Sequence, residues 1–206
     1  MTATPPDPLY VRERERAHDL VSTQLATSAP AADIYKQLDA ALIQTMAASP
    51  MATSAACRRG CGWCCHQPVY VTGIEAAAIV AHLRAQWPHT WLTQLSTLLR
   101  QRLQQRATMG GDLAVLRHGM ACAFLSEEND CSIHTTRPLA CRGHLSANAT
   151  TCAEFYADPT SPPPPIDTYS HAAAKGLLHG IRSATNQPLI ELHTAILSLL
   201  GNIDAH

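Results

Sequence analysis

The chain has 206 residues, 46% of them hydrophobic, and a formal net charge of −1. That length and apolar fraction can build a real core, which excludes a miniprotein held together by disulfides alone. The balanced charge offers no field for nucleic acid or an anionic membrane surface, and no apolar run nears the roughly 18 residues of a membrane span.

Residues 1–19 hold Pro5, Pro6 and Pro8 and then the charged run 12–16, with no apolar core of a signal peptide. The expected location is therefore the cytoplasm, where thiols stay reduced. A first helix is expected over 8–25 and a second over 31–48, where Ile34, Leu38, Leu42 and Thr45 recur at helical spacing. Ser49-Pro50 ends the second. A Gly- and Cys-rich loop over 57–65 follows, and 68–71 reads as a short extended segment. Thr72 stands three residues before Glu75, a capping box that opens an Ala-rich helix reaching Gln86. After Trp87-Pro88 a further helix over 90–108 carries Leu92, Leu95, Leu99 and Leu103 on one face.

Residues 110–152 read as irregular, with two short strands at 122–125 and 131–134 joined by the polar turn 127–130. The prolines at 162–165 form a stiff extended connector. Two closing helices are expected over 166–184 and 188–200. Aromatics are only 5% of the chain, and Ala and Leu abound. The expected fold is mostly α: a helical domain around an irregular, metal-organised, cysteine-rich centre with at most short strands. Residues 1–50 form an N-terminal helical extension, 51–158 the cysteine-cluster metal-binding core, and 159–206 the Pro-rich connector with the C-terminal helices.

The chemistry lies in eight cysteines. The first set reads Cys57-Arg-Arg-Gly-Cys61-Gly-Trp-Cys64-Cys65; the second is Cys122, Cys131, Cys141 and Cys152, with eight, nine and ten residues between neighbours. A Cys-x-x-Cys turn lets two sulfurs face one metal, and Gly60 and Gly62 permit the tight path. Cys64 and Cys65 are adjacent, and adjacent side chains point apart. That suits a polynuclear cluster, two neighbouring metals, or one ligand beside one structural thiol. Thiolates serve zinc and iron–sulfur clusters alike, so spacing weighs the two equally. Cys57, Cys61, Cys64, Cys131 and Cys141 fall in the most constrained segments and are the expected essential ligands. All eight are candidate metal ligands: the Cys65 side chain should diverge from that of Cys64 unless a second metal lies between them, and Cys122 and Cys152 flank the second set and could complete another site.

Cys57-x3-Cys61-x2-Cys64-Cys65, followed by Cys122-Ala-Phe-Leu, Cys131-Ser-Ile-His, Arg137-Pro138 and Cys141-Arg142, resembles the YkgJ-type cysteine-cluster family. This resemblance spans residues 57–152 and implies a zinc- or iron-chelating domain, often labelled an iron–sulfur-cluster protein. His134 stands where that family usually has Tyr, which offers a nitrogen ligand there. Flagellin lysine methylases are similar in the cysteine motif, and their four-iron cluster favours iron. Cys57-x3-Cys61-x2-Cys64 is also the spacing of radical S-adenosylmethionine enzymes, which need a much larger barrel and further motifs that this chain does not offer.

Arg58, Arg59, Arg137 and Arg142 lie beside the cysteines. Four thiolates on one zinc or on an oxidised four-iron cluster leave about two negative charges, which guanidiniums would offset. His66, His134 and His144 read as supporting or surface residues, since thiols suffice, and Trp63 reads equally as a shield for the metal or as core. No phosphate loop, nucleophile elbow or paired carboxylates occur. Three readings follow. One is a metal-binding protein for metal handling or electron transfer. Another is an iron–sulfur-dependent modifying enzyme of a methyl-transfer kind. The third is a zinc-structured module whose helices bind a protein partner.

Overall fold

The computed structural model describes residues 6–110, 115 and 119–201. Pro5 of the Pro-rich N-terminus and part of the 110–152 stretch lie outside the described residues. Eight α-helices occur among the described residues: α1 (Pro8–Ala26), α2 (Ala31–Met46), α3 (Gly73–Gln86), α4 (His89–Met109), α5 (Leu139–Arg142), α6 (Ala149–Ala157), α7 (Thr168–Thr185) and α8 (Leu192–Leu200). Strands β1 (Tyr70–Val71) and β2 (Ile190–Glu191) pair antiparallel, Tyr70 with Glu191 and Val71 with Ile190. The chain is mostly helical, as its composition implies. No described helix is long and apolar enough to cross a membrane.

Helix starts follow from local chemistry. Asp7 caps α1 by accepting from the Leu9 N–H at 2.8 Å, with Pro8 at the first helical position. Thr72 and Glu75 form the capping box of α3. Asp167 caps α7, and Asn186 closes it in the left-handed region at φ 50°.

Two apolar cores share α3. Its Ile74 and Ala78 join α1, α2, Leu139 of α5 and α7 around Val21, Leu38, Leu42, Leu177 and Ile181. Its Ala76, Ile79, Val80 and Leu83 face α4 and α8 around Leu95, Leu99, Ile196, Phe124 and Ile133. A helix buried on two sides keeps only an exposed edge, here Ala81, Arg84 and Ala85, which is why α3 is rich in Ala, Ile and Val. The close α1–α7 crossing depends on glycine. A Cβ at Gly176 would stand 2.6 Å from the Tyr10 carbonyl oxygen.

The strands expected at 122–125 and 131–134 are reduced to one antiparallel bridge, Leu125 with Cys131. It is held by Ser132 N–H to Phe124 O at 2.8 Å and Ser126 N–H to Asp130 O at 2.9 Å. His134 begins a 3-10 turn instead of continuing a strand. Two short helices, α5 and α6, stand where irregular chain was expected. The last helix begins at Leu192, because Ile190 and Glu191 are drawn into the pairing with β1.

Candidate metal centre

The first cysteine loop is shaped by glycine and tied to the rest by backbone bonds. Gly60 adopts φ 81°, which lets the chain turn so that the Cys61 N–H reaches the Arg58 carbonyl at 3.0 Å. Asp130 clamps this turn, accepting from the Gly60 N–H at 3.1 Å and from Arg59 Nε at 2.6 Å. Gly62 lies against Leu125 and Asn129, where a Cβ would approach Leu125 Cδ1 to 3.0 Å. A 3-10 turn, Trp63–His66, then presents Cys64 and Cys65.

The second set is brought to this loop by main-chain contacts. The Cys122 N–H donates to the Cys65 carbonyl at 2.7 Å, and the Ala56 N–H to the Ser146 carbonyl at 2.8 Å. Cys131 sits in the bridge with Leu125. Cys141 rides on α5, whose first N–H, that of Leu139, is held by Glu75 Oε1 at 2.9 Å. Cys152 comes from α6. Two polymer segments more than fifty residues apart in sequence thus meet around one place.

Cys64 lies within electrostatic reach of Cys57, Cys131, Cys141 and Cys152, each of whose thiols it helps to raise. Cys61 is felt at Cys57 and Cys152, and Cys122 at Cys141. All eight cysteines are free thiols. Among the described residues, no three Cys, His, Asp or Glu side chains are grouped as a metal site.

Thiol acidity reflects this crowding. Burial, and then the neighbouring Cys122, Cys64 and Cys131, push the Cys141 thiol far up, and burial lifts Cys122 to about 12. The hydrogen bond to Cys65, followed by burial, lifts Cys64 strongly. Opposing this are backbone N–H groups aimed at sulfur: Ser146 at Cys57 (3.4 Å), Phe124 at Cys122 and Ile133 at Cys131. The Arg137 guanidinium favours the thiolate forms of Cys57, Cys64, Cys131 and Cys141. Its Nε is buried without a hydrogen-bond partner. Free thiols, donors directed at sulfur and a cation set among them are what a thiolate-bound metal needs.

The neighbours divide. Arg58 and Arg59 are exposed, and Arg59 is spent on Asp130. Arg142 pairs with Asp39 of α2. His134 is exposed, while His66 stacks on Tyr156 with ring centres 4.3 Å apart. His144 is half-buried beside Cys64 and Cys152. Sequence reading missed Tyr35 and Asp39. Tyr35 donates to the Arg137 carbonyl at 2.7 Å, and Asp39 holds Arg142. Their signal was present: two polar side chains one turn apart, beside the buried Ile34, Leu38 and Leu42 stripe. Glu75, Asp130 and Ser146 were also missed as supports, and only Glu75 had a motif.

Compared with known proteins, residues 56–158 match the CxxCxxCC family, described as "Putative zinc- or iron-chelating domain". This chain has three residues, rather than the two of the family's name, between its first two cysteines. No curated protein and no solved structure matches the chain. The matched half is the segment that gathers all eight thiols, and the chain belongs to this family of cysteine-cluster, metal-binding proteins.

Proposed function

We propose that Cys57, Cys61, Cys64, Cys131 and Cys141 hold one principal centre, an iron–sulfur cluster or a zinc ion, and that the chain serves metal handling or electron transfer in the cytoplasm. The observation that carries this is the joining of the two cysteine sets by the main chain, the Cys122 N–H on the Cys65 carbonyl at 2.7 Å, the Ala56 N–H on the Ser146 carbonyl at 2.8 Å and the Ser146 N–H on Cys57 Sγ at 3.4 Å. Soft thiolates select zinc and iron–sulfur over hard cations. When bound, zinc would supply structure and Lewis acidity, and a cluster would supply one-electron redox chemistry.

The chain's own residues prepare the place. Ser146, Phe124 and Ile133 direct N–H groups at sulfur, Arg137 offsets negative charge, and Glu75 anchors the helix that presents Cys141. Cys65, Cys122 and Cys152 lie at the edges of the group, where they complete the centre or begin another. Metal or electrons would pass to a protein partner. Anaerobic purification with iron, sulfide and zinc analysis and an absorption spectrum tests the proposal. Brown protein absorbing at about 400 nm identifies a cysteine-bound cluster. Colourless protein with stoichiometric zinc identifies the ion. Protein carrying neither, and taking up neither, sinks the proposal.

A further inference from the structure

Residues 147–165 leave the body and rejoin it through one neck. Ser146 and Ile166 form an isolated antiparallel bridge, and the Asp167 N–H donates to the Leu145 carbonyl at 2.8 Å. The body side of the neck is pinned. Ser146 accepts from the Ala56 N–H at 2.8 Å, and its own N–H points to Cys57 Sγ at 3.4 Å. The excursion holds α6 and then the prolines at 162–165, a stiff strut that makes it move as a unit.

Its attachment beyond the neck is thin. No residue of α6 is fully buried, and its main packing partner is the Trp63–His66 turn that presents Cys64 and Cys65. The contact centres on Tyr156, whose ring lies 5.5 Å from Trp63 and 4.3 Å from His66, centre to centre, and packs on Gly119, where a Cβ would come within 2.8 Å of it. Beneath it lies a small cleft of about 20 Å³ lined by Cys64, Cys152, His66, His144, Phe155 and Pro164. Cys152, the excursion's one thiol, lines this cleft together with Cys64. Cys122, Cys131 and Cys141 instead belong to segments packed into the core.

We propose that residues 147–165 are a lid on the thiol group. It swings about the Ser146–Ile166 neck when Tyr156 parts from Trp63, His66 and Gly119, and its opening clears the way to Cys64. The role of the lid rests on the metal reading given above.

Hydrogen exchange on the full chain, metal-free and zinc-saturated, and zinc release to a coloured chelator test this together. In the metal-free chain the amides of 149–157 should exchange as one unit and faster than those of α2 and α7, and zinc should slow them. Tyr156→Ala should speed zinc release about tenfold, the factor two aromatic contacts of this kind supply, with zinc per chain unchanged. Tyr156→Phe keeps the ring and should release zinc at the wild-type rate. Unchanged release in Tyr156→Ala, or exchange in 149–157 as slow as in α7, overturns the lid. A chain that takes up neither zinc nor iron sinks the metal reading instead, and the exchange pattern of the metal-free chain still decides whether the lid opens.

Discussion

Replacing Glu75 should loosen the join between α3 and α5, the short helix that carries Cys141. Glu75 is fully buried. Its Oε2 accepts from the Thr72 N–H and hydroxyl, both at 2.8 Å, and its Oε1 accepts from the Leu139 N–H at 2.9 Å. Burial pushes its carboxyl up, while the Thr72 and Leu139 donors hold it down. Glu75→Ala leaves the N–H groups of Thr72 and Leu139 without an acceptor in a dry place. Each such donor costs about 1–3 kcal/mol, and releasing a buried carboxylate returns part of that, for a net loss of about 3 kcal/mol. Glu75→Gln keeps an acceptor for Leu139 but sets an amide NH2 against the Thr72 N–H, for a loss of about 1–2 kcal/mol. Urea unfolding of the metal-free protein measures both, and labelling of Cys141 by a thiol reagent reports whether α5 has come loose. A Glu75→Ala protein within about 0.5 kcal/mol of wild type, with Cys141 no more reactive, would show that this carboxylate does not hold the centre's frame.

Gly180→Ala should destabilise the α1–α7 crossing by about 1–3 kcal/mol, because its Cβ falls on the Arg14 carbonyl oxygen and 2.7 Å from Ala17 Cβ. The melting temperature should fall by several degrees, and an unchanged value would mean the helices do not meet this closely. Asp167 is held below the usual carboxylate range: burial works against this, but the hydroxyls of Ser170 and Ser49 and the N–H groups of Ser170 and Tyr169 outweigh it. A depressed folded pKa stabilises above the unfolded value and is lost as pH falls below about 4. Asp167→Asn should therefore cost about 1 kcal/mol at neutral pH, and its melting curve should converge with wild type in acid. A constant gap at every pH would contradict that sign.

Long elements with local signals were legible in the sequence. The Thr72–Glu75 box, the Leu92, Leu95 and Leu99 stripe and the Ile34, Leu38 and Leu42 face all appear as expected, since each is set within a few turns of its own helix. What the sequence hid depends on distant partners. α5 is four residues long and starts where Glu75, 64 residues earlier, supplies its cap. The β1–β2 pair joins segments far apart in the chain and delays the start of α8. The 122–134 hairpin shrinks to a bridge because Phe124 and Ile133 are taken into the core and Asp130 into clamping the first loop. The cysteines were legible by type and spacing. The joining of the two sets through the Cys122–Cys65 and Ala56–Ser146 main-chain bonds depends on the tertiary fold.

Metal per chain in Cys61→Ser, beside wild type and Cys152→Ser and all purified anaerobically, tests most directly whether these thiols form one metal centre. Serine keeps the size of cysteine but is a poor ligand for soft metals. Wild type should carry its full complement, Cys152→Ser nearly the same, and Cys61→Ser almost none. Full metal retention in Cys61→Ser would contradict the assignment of the centre to these cysteines.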